Sequence, residues 1–257
     1  MAVIKTENRD GGAGMMQAPR TAALHRPRDW FRFFEDFFSI PQDDQTPYLP
    51  TDWLVTEDSA DGVHAVMTGE IGGVYQLACH SDAHDEATMV LGGRASGTIC
   101  EIAKNSGKPL FYECRFKCGA VADSGFVIGL SEESVGADLM VDTTTVLKLD
   151  IDFLGFRSLI GAPTELDAVH QLASTTIVEA AAAAGTLTTT AWMTVAIHFD
   201  GEETVKWYID DELVASADVD DTGFPVDEEL TPCFGVKCVT GAAIPLYIDY
   251  VEVIQKR

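Results

Sequence analysis

The sequence predicts an all-β protein, a sandwich of two antiparallel sheets preceded by an extended N-terminal arm. The first observation is the spacing of short apolar or alternating runs after residue 62, which are separated by Gly, Asp, Asn, Ser and Pro. The second is a pair of tight hairpins late in the chain. Such spacing is typical of an all-β meander or Greek key. We expect strands near 63–68, 73–79, 87–92, 97–103, 110–118, 125–131, 145–153, 192–200, 203–210, 212–218, 232–239 and 245–254, a number that suits two sheets.

Residues 1–29 form the predicted arm. Glycine and proline are frequent there and large apolar side chains are few, so the segment cannot bury enough surface to fold alone. Residues 1–32 hold six lysines and arginines against three acids, a charge of +3 that leaves −27 on the remainder. This asymmetry favours docking of the arm on an acidic neighbour, such as another copy of the chain, over a solvated tail.

Residues 30–257 are expected to form one sandwich domain, because 257 residues suffice for a large core that needs no disulfide or metal. The domain begins with the aromatic-rich segment 30–38, which is either an amphipathic helix or a first strand.

The two hairpins are predicted around Asp200-Gly201 and Asp210-Asp211, residue types that favour tight turns. Alternation places Val195, Ile197 and Phe199 on one face of the first hairpin strand and His198 on the other, and either face is a candidate for the core. The run 180–184 is all alanine and is followed by Gly185, so it is either a short helix or a loop.

The segments 192–197, 199–201 and 205–214 resemble two strands and a turn of the concanavalin A-like lectin and glucanase superfamily, especially its laminin-G-like branch. Asp211 stands where that pattern has glycine, and 246–253 is similar to the last strand of the same jelly roll. Segments 35–38, 72–77 and 82–86 resemble phage structural proteins that carry this fold. The resemblance covers residues 30–254 and implies a concanavalin-like jelly roll, but a fold does not by itself name a function.

Charge and composition exclude several classes of protein. A formal charge of −24 and a pI near 4.3 oppose binding to nucleic acid or to an anionic membrane. We expect neither a secretory leader nor a membrane-spanning segment, because no basic start with an apolar run and no stretch of about 20 apolar residues occurs in this sequence. The six cysteines form no Cys-x-x-Cys pair and are expected to be buried, reduced thiols.

The sequence matches no complete catalytic motif. Glucanases of the superfamily place two carboxylates on one strand face as nucleophile and acid. The nearest counterparts are Asp150 and Asp152, but Lys148 occupies the position of the first carboxylate, so a solvated pair is favoured. No serine-nucleophile elbow and no phosphate-binding loop occurs in the sequence.

Two further groups of residues are of types that bind ligands. His80, Asp82 and His84 alternate as they would on one strand face, which is compatible with a divalent metal, although a surface loop is favoured. The aromatic residues Trp53, Trp192, Trp207 and Tyr208 are of the type that stacks on sugars, but alternation favours core packing for most of them. We therefore assign no catalytic residue, no cofactor and no metal.

The sequence thus predicts a non-enzymatic virion protein, a capsid decoration protein of a tailed phage. Its expected partners are the major capsid protein and further copies of itself, as a homo-oligomer such as a trimer. Its expected location is the capsid exterior after assembly in the host cytoplasm. The alternatives are a fibre or receptor-recognition protein that binds a host-surface glycan and, less favoured, a glycoside hydrolase.

Overall fold

The computed structural model describes residues 28–37, 53–58, 63–67, 73–92, 98–122, 124–132, 139–140, 147–148, 150–159, 161–239 and 243–257. These residues form sixteen β-strands and no helix. The predicted all-β fold is therefore confirmed. The predicted arm, except for its last two residues, lies outside the described residues.

The first eight strands are β1 (Trp30–Glu35), β2 (Trp53–Glu57), β3 (Val63–Val66), β4 (Tyr75–Ala78), β5 (Glu86–Leu91), β6 (Cys100–Glu101), β7 (Leu110–Cys118) and β8 (Ser124–Ser131). The last eight are β9 (Phe153–Leu159), β10 (Ala162–Gln171), β11 (Val178–Thr186), β12 (Met193–Phe199), β13 (Thr204–Ile209), β14 (Glu212–Asp218), β15 (Glu229–Cys238) and β16 (Pro245–Lys256).

The strands form two antiparallel sheets. Sheet 1 has the order β14-β13-β12-β7-β16-β4-β3, and β1 also pairs with β16. Sheet 2 has the order β11-β10-β9-β8-β15-β5-β2, and β6 also pairs with β15. Side chains of a strand alternate between two faces, so each sheet has an inner face in the core and an outer face.

The inner faces of the two sheets form the main core. In sheet 1, Val195, Ile197 and Phe199 of β12 are fully buried in it. In sheet 2, the equivalent set is Phe126, Ile128 and Leu130 of β8. The alternation predicted for β12 is therefore correct, and His198 lies on the outer face, with its ring stacked on Phe111 at 4.4 Å.

The aromatic segment after Asp29 is a strand, which settles one open alternative. Phe33 of β1 packs edge-on against Trp53 of β2, and Phe37 stacks on Tyr75 of β4 at 5.4 Å. Trp53 in turn contacts Phe234 of β15. This aromatic cluster joins the two sheets and fixes the start of the domain in the core.

The sequence prediction was wrong between residues 145 and 186. The described residues of 145–152 are not in a strand, since β9 begins at Phe153. The strands β9, β10 and β11 were not predicted, and the alanines 180–184, expected to be a helix or loop, lie in β11. Alanine has low strand propensity, but pairing with β10 overrides it at this sheet edge.

The two predicted hairpins are confirmed. The carboxylate of Asp200 accepts hydrogen bonds from the backbone amides of Glu202, Glu203 and Thr204 and so holds the first turn. Asp210 and Asp211 both have positive φ (46° and 71°), which matches a two-residue turn of type I′. Within the described residues, no helix is long and apolar enough to cross a membrane.

Candidate functional site

The two candidate carboxylates do not form a catalytic pair. Asp152 is buried and accepts a hydrogen bond from the amide of Ala173 at 2.7 Å, while Asp150 is exposed in a turn. Neither residue lies in a strand, so the expectation that both share one strand face is wrong. Asp152 instead holds the loop that follows β10.

The histidine and acidic cluster lies in the loop between β4 and β5. His80 Nδ1 is 3.5 Å from Asp82 Oδ2 and 3.5 Å from Asp85 Oδ2. His84 is not part of this group: its φ is 71°, so the alternation assumed from the sequence does not apply. The structure therefore replaces His84 by Asp85 in the predicted set. The signal was present in the sequence as a second acid three residues after Asp82. The favoured surface loop is correct, whereas the strand-like alternation that grouped His84 with His80 and Asp82 is not.

The six cysteines are all buried and free, as expected. Burial raises the pKa of Cys79 and of Cys233 to about 12, and it also raises the pKa of Cys100, Cys114, Cys118 and Cys238. A thiol must lose its proton to act as a nucleophile or as a metal ligand. These side chains therefore serve as small apolar residues of the core.

Three of the four aromatic residues considered as sugar platforms are buried. Trp207 donates from Nε1 to the carbonyl of Gly155 at 3.2 Å, and Trp53 and Tyr208 are also buried. Trp192 differs, because it is partly exposed on the outer side of sheet 1. The core interpretation is thus correct for all but Trp192.

The outer face of sheet 2 is buried under the chain itself. Leu139, Met140, Leu147 and Ile151 form a second apolar cluster with outer-face side chains of β5, β8, β9, β10 and β15. Leu139 and Met140 lie against Gly235, where a β-carbon would stand 3.2 Å from the Leu139 side chain. We call residues 139–151 the covering segment. In its described parts it occupies a sheet face that would otherwise be open to a ligand.

A buried ion pair anchors the covering segment. Lys237 Nζ lies 3.2 Å from Glu86 Oε2, and neither side chain is exposed to solvent. The Glu86 carboxylate also accepts from the amides of Leu139 and Met140, and Lys237 donates to the Met140 carbonyl at 3.4 Å. Burial raises the pKa of Glu86 to about 7, although Lys237 opposes this shift. A lone lysine in the apolar run of β15 was the sequence signal for this pair, and it was missed.

A second charged group occupies the same face farther along the sheet. The guanidinium of Arg157 is buried, donates to Glu179 Oε1 at 2.6 Å and lies 3.5 Å from Asp167 Oδ2. Asp167 accepts from the amide of Ala183 at 2.9 Å and so fixes an irregular step between β10 and β11. We therefore assign this charged group a structural role, which is to hold β11 against β10 at the edge of sheet 2.

The outer face of sheet 1 carries a row of contacting aromatic and basic side chains. Phe34 stacks on Tyr250, which lies opposite Arg115 on the neighbouring strand. Trp192 has the Arg115 guanidinium 4.7 Å and the Lys117 ammonium 4.5 Å from its ring centre, and Lys117 also lies 5.1 Å from the ring centre of Tyr247. We call this row the outer patch; it consists of Phe34, Arg115, Lys117, Trp192, Tyr247 and Tyr250.

The side chains of the outer patch are both exposed to solvent and held in place by their neighbours. Phe34 is 45% exposed and the Arg115 side chain is 40% exposed. Arg115 also pairs with Asp249 at 2.6 Å, which fixes the guanidinium in place. Cation and ring pairs at such distances are attractive by about 0.5–1 kcal/mol at exposed sites. Pre-ordered aromatic and arginine side chains are the residue types enriched in protein interfaces.

Comparison with solved structures gives the fold. A protein of unknown function from Shewanella oneidensis MR-1 is 16% identical over 89% of this chain and 87% of its own, with a TM-score of 0.55. The endo-β-1,4-glucuronan lyase of the fungus Trichoderma reesei is 13% identical over 86% and 94%, with a TM-score of 0.54. Peanut lectin is 9% identical over 89% and 98%, with a TM-score of 0.53.

No family model matches the sequence, and no curated protein matches it either. The class is nevertheless clear at the level of fold: the chain has the concanavalin-like jelly-roll sandwich of the lectins, as its sequence predicted. The fold is shared by lectins and by a lyase, so function has to be argued from the surfaces of this chain.

Proposed function

We propose that the chain is a non-catalytic structural protein that decorates the capsid of a tailed phage. The observation that carries this proposal is the outer patch, which presents ordered aromatic and basic side chains on the outer face of sheet 1. The likeness of 35–38, 72–77 and 82–86 to phage structural proteins supports the particular assignment.

The outer face of sheet 2 supports a role without catalysis. In a sandwich the inner faces are filled by the core, so an extended substrate has only outer faces and loops to bind. The described residues of the covering segment lie on one outer face, and the buried Glu86–Lys237 pair holds Leu139 and Met140 there. The candidate carboxylates Asp150 and Asp152 are not arranged as an acid and a nucleophile.

The charge distribution supports docking on protein. The chain has a formal charge of −24, whereas the outer patch brings Arg115 and Lys117 together, with Asp249 paired to Arg115. Aromatic and arginine side chains dominate the binding energy of typical interfaces when a partner excludes water from them. An acidic or apolar protein surface is therefore the partner that fits this patch.

The stoichiometry of purified particles tests the proposal. Quantitative mass spectrometry of virions should find this chain at the copy number of the major capsid subunit or at a simple fraction of it. Antibody labelling should decorate the capsid shell. A few copies per particle, or labelling of the tail alone, would contradict capsid decoration.

Variants then test the surface. The double change Trp192→Ala with Lys117→Glu should weaken binding to undecorated particles by at least about tenfold, since interface anchors contribute about 2 kcal/mol or more. Leu213→Ala is the matched control, because Leu213 is 44% exposed but lies outside the outer patch. Equal binding of both variants would show that the patch is not the docking surface.

Carbohydrate binding is the second candidate. It is favoured by one observation, the partly exposed rings of Trp192 and Tyr247 on a fold that peanut lectin shares. Binding on a glycan array that disappears in Trp192→Ala, together with absence from capsids, would establish this candidate in place of the first.

A further inference from the structure

The loop between β4 and β5 brings three potential ligand atoms together. They are His80 Nδ1, one carboxylate oxygen of Asp82 and one of Asp85, and all lie within 4.8 Å of one another. The loop connects a strand of sheet 1 to a strand of sheet 2, so it crosses the end of the sandwich. A ligand held there would contact the connection between the two sheets.

The spacing of these atoms does not match hydrogen bonding. A charged nitrogen donor normally stands about 2.7–2.9 Å from a carboxylate oxygen. His80 Nδ1 is instead 3.5 Å from both carboxylates, and this buried atom makes no hydrogen bond. Hydrogen bonding therefore does not explain why the Asp82 and Asp85 oxygens lie at equal distances from His80 Nδ1.

The spacing does match a metal-ligand set. Zn²⁺ binds imidazole nitrogen at about 2.0–2.1 Å and carboxylate oxygen at about 2.0–2.2 Å in tetrahedral geometry, so two of its ligands stand about 3.4 Å apart. The two nitrogen to oxygen distances of 3.5 Å are close to this edge of a tetrahedron. The remaining distance, between the two carboxylate oxygens, is at most 4.8 Å, and the Asp82 side chain is 75% exposed and so has room to rotate.

The loop is held in this arrangement by strand β15. The Cys238 Sγ atom lies 3.1 and 2.8 Å from the carbonyl oxygens of His80 and Asp82, so its one proton is shared between these two acceptors. The amide of His84 donates to the Cys238 carbonyl at 2.9 Å, and the amide of Cys238 donates to the Asp85 carbonyl at 3.0 Å. A ligand set whose backbone is fixed in advance loses little conformational entropy on binding.

We propose that His80, Asp82 and Asp85 bind one divalent transition-metal ion, with Zn²⁺ as the preferred ion. Three protein ligands leave a fourth position for water. An imidazole ligand favours Zn²⁺ over Mg²⁺ and Ca²⁺, and Ca²⁺ also requires six or more oxygen ligands. The ion stabilises the connection between the two sheets, because a ligand that binds only the folded state stabilises the folded state.

Calorimetric titration of the untagged full chain with ZnCl₂ tests this proposal. We expect one equivalent to bind to the wild type, with an intense visible absorption when Co²⁺ is used as the probe. His80→Ala and Asp82→Asn should each weaken Zn²⁺ binding by at least about tenfold. Excess Mg²⁺ should not compete.

His84→Asn is the matched control. It changes a neighbouring histidine that is outside the group, and asparagine tolerates the positive φ of this position. We expect its Zn²⁺ affinity to equal that of the wild type. Asp82→Asn alters an exposed side chain, so its melting temperature without metal should be unchanged.

Three results would overturn the proposal. They are absence of Zn²⁺ binding at millimolar concentration, equal affinity of the wild type and both ligand variants, and a loss of affinity in His84→Asn as large as that in Asp82→Asn.

Discussion

His198 is a titratable side chain in an unfavourable place for a charge. Its ring is stacked on Phe111 at 4.4 Å, and Lys206 lies opposite it on β13. Burial and, to a smaller extent, Lys206 together lower the pKa of His198 to about 4, and Asp200 partly opposes this shift. The folded protein therefore keeps this imidazole neutral at pH values where the unfolded chain protonates it.

The stability of the protein should therefore depend on His198 below neutral pH. The unfolded imidazole binds a proton near pH 6.5 and the folded one only near pH 4, so stability is lost as the pH falls through this window. The loss should be at most about 3 kcal/mol. Urea denaturation at pH 7.5 and 5.5 should show a smaller decrease for His198→Phe, which keeps the ring stack. Equal decreases in the two proteins would contradict this assignment.

Gly129 and Gly155 lie opposite each other in β8 and β9, where the two backbones leave no room for a side chain. A β-carbon on Gly129 would stand 2.4 Å from the carbonyl oxygen of Leu154. Gly129→Ala should therefore destabilise the fold by about 1–3 kcal/mol. Gly161→Ala, with nothing within 4 Å, should stay within about 0.5 kcal/mol of the wild type. Urea midpoints measure both changes, and equal midpoints would refute the steric argument.

Among the elements, the covering segment depends on the buried Glu86–Lys237 pair. Glu86→Gln leaves Lys237 buried without its counter-charge and should cost about 3–5 kcal/mol. The double change Glu86→Gln with Lys237→Met should recover most of this loss, since a buried pair replaced by neutral groups is often nearly neutral in stability. A double-mutant cycle by urea denaturation gives the coupling energy. Additive effects of the two changes would contradict the proposed anchoring.

The strands differ in how well the sequence predicts them. The ranges 110–118 and 212–218 agree with β7 and β14 because alternation and turn residues coincide there. The strands β9 to β11 were missed for physical reasons. Sheet 2 is buried on both faces near β9, so Phe153 to Leu159 shows little alternation, and β11 is held in place by its neighbour rather than by propensity.

The candidate surfaces were less predictable than the strands. The outer patch joins Phe34 and Trp192, which are far apart in sequence and meet only through β16, β7 and the end of β12. The His80 loop was recognised as a ligand-rich segment. Its actual partner, Asp85, depends on a loop conformation that Cys238 fixes from a distant strand. Such long-range contacts leave no periodic signal in a single sequence.

At the scale of the whole molecule, the arm remains a prediction. Deleting residues 1–28 should leave a folded β-domain, since the described core begins with β1. If the basic arm docks on an acidic neighbour, the truncated protein should bind capsids much more weakly than the full chain. The difference should shrink as salt rises and the Debye length falls from about 10 Å at 0.1 M to about 3 Å at 1 M. Undiminished occupancy at both salt concentrations would show that the arm is a passive tail.

Strand β16 has a consequence for the way this chain is made. It is the last strand, yet it lies inside sheet 1 with β7 along one edge and β4 and β1 sharing the other. While its residues are still inside the ribosome, β7 has no partner on that side and β1 and β4 cannot join the sheet. Sheet 1 therefore cannot close before β16 has left the ribosome, and until then the nascent chain exposes unpaired strand edges. Chaperones that bind extended apolar segments are expected to act on the nascent chain until β16 is available.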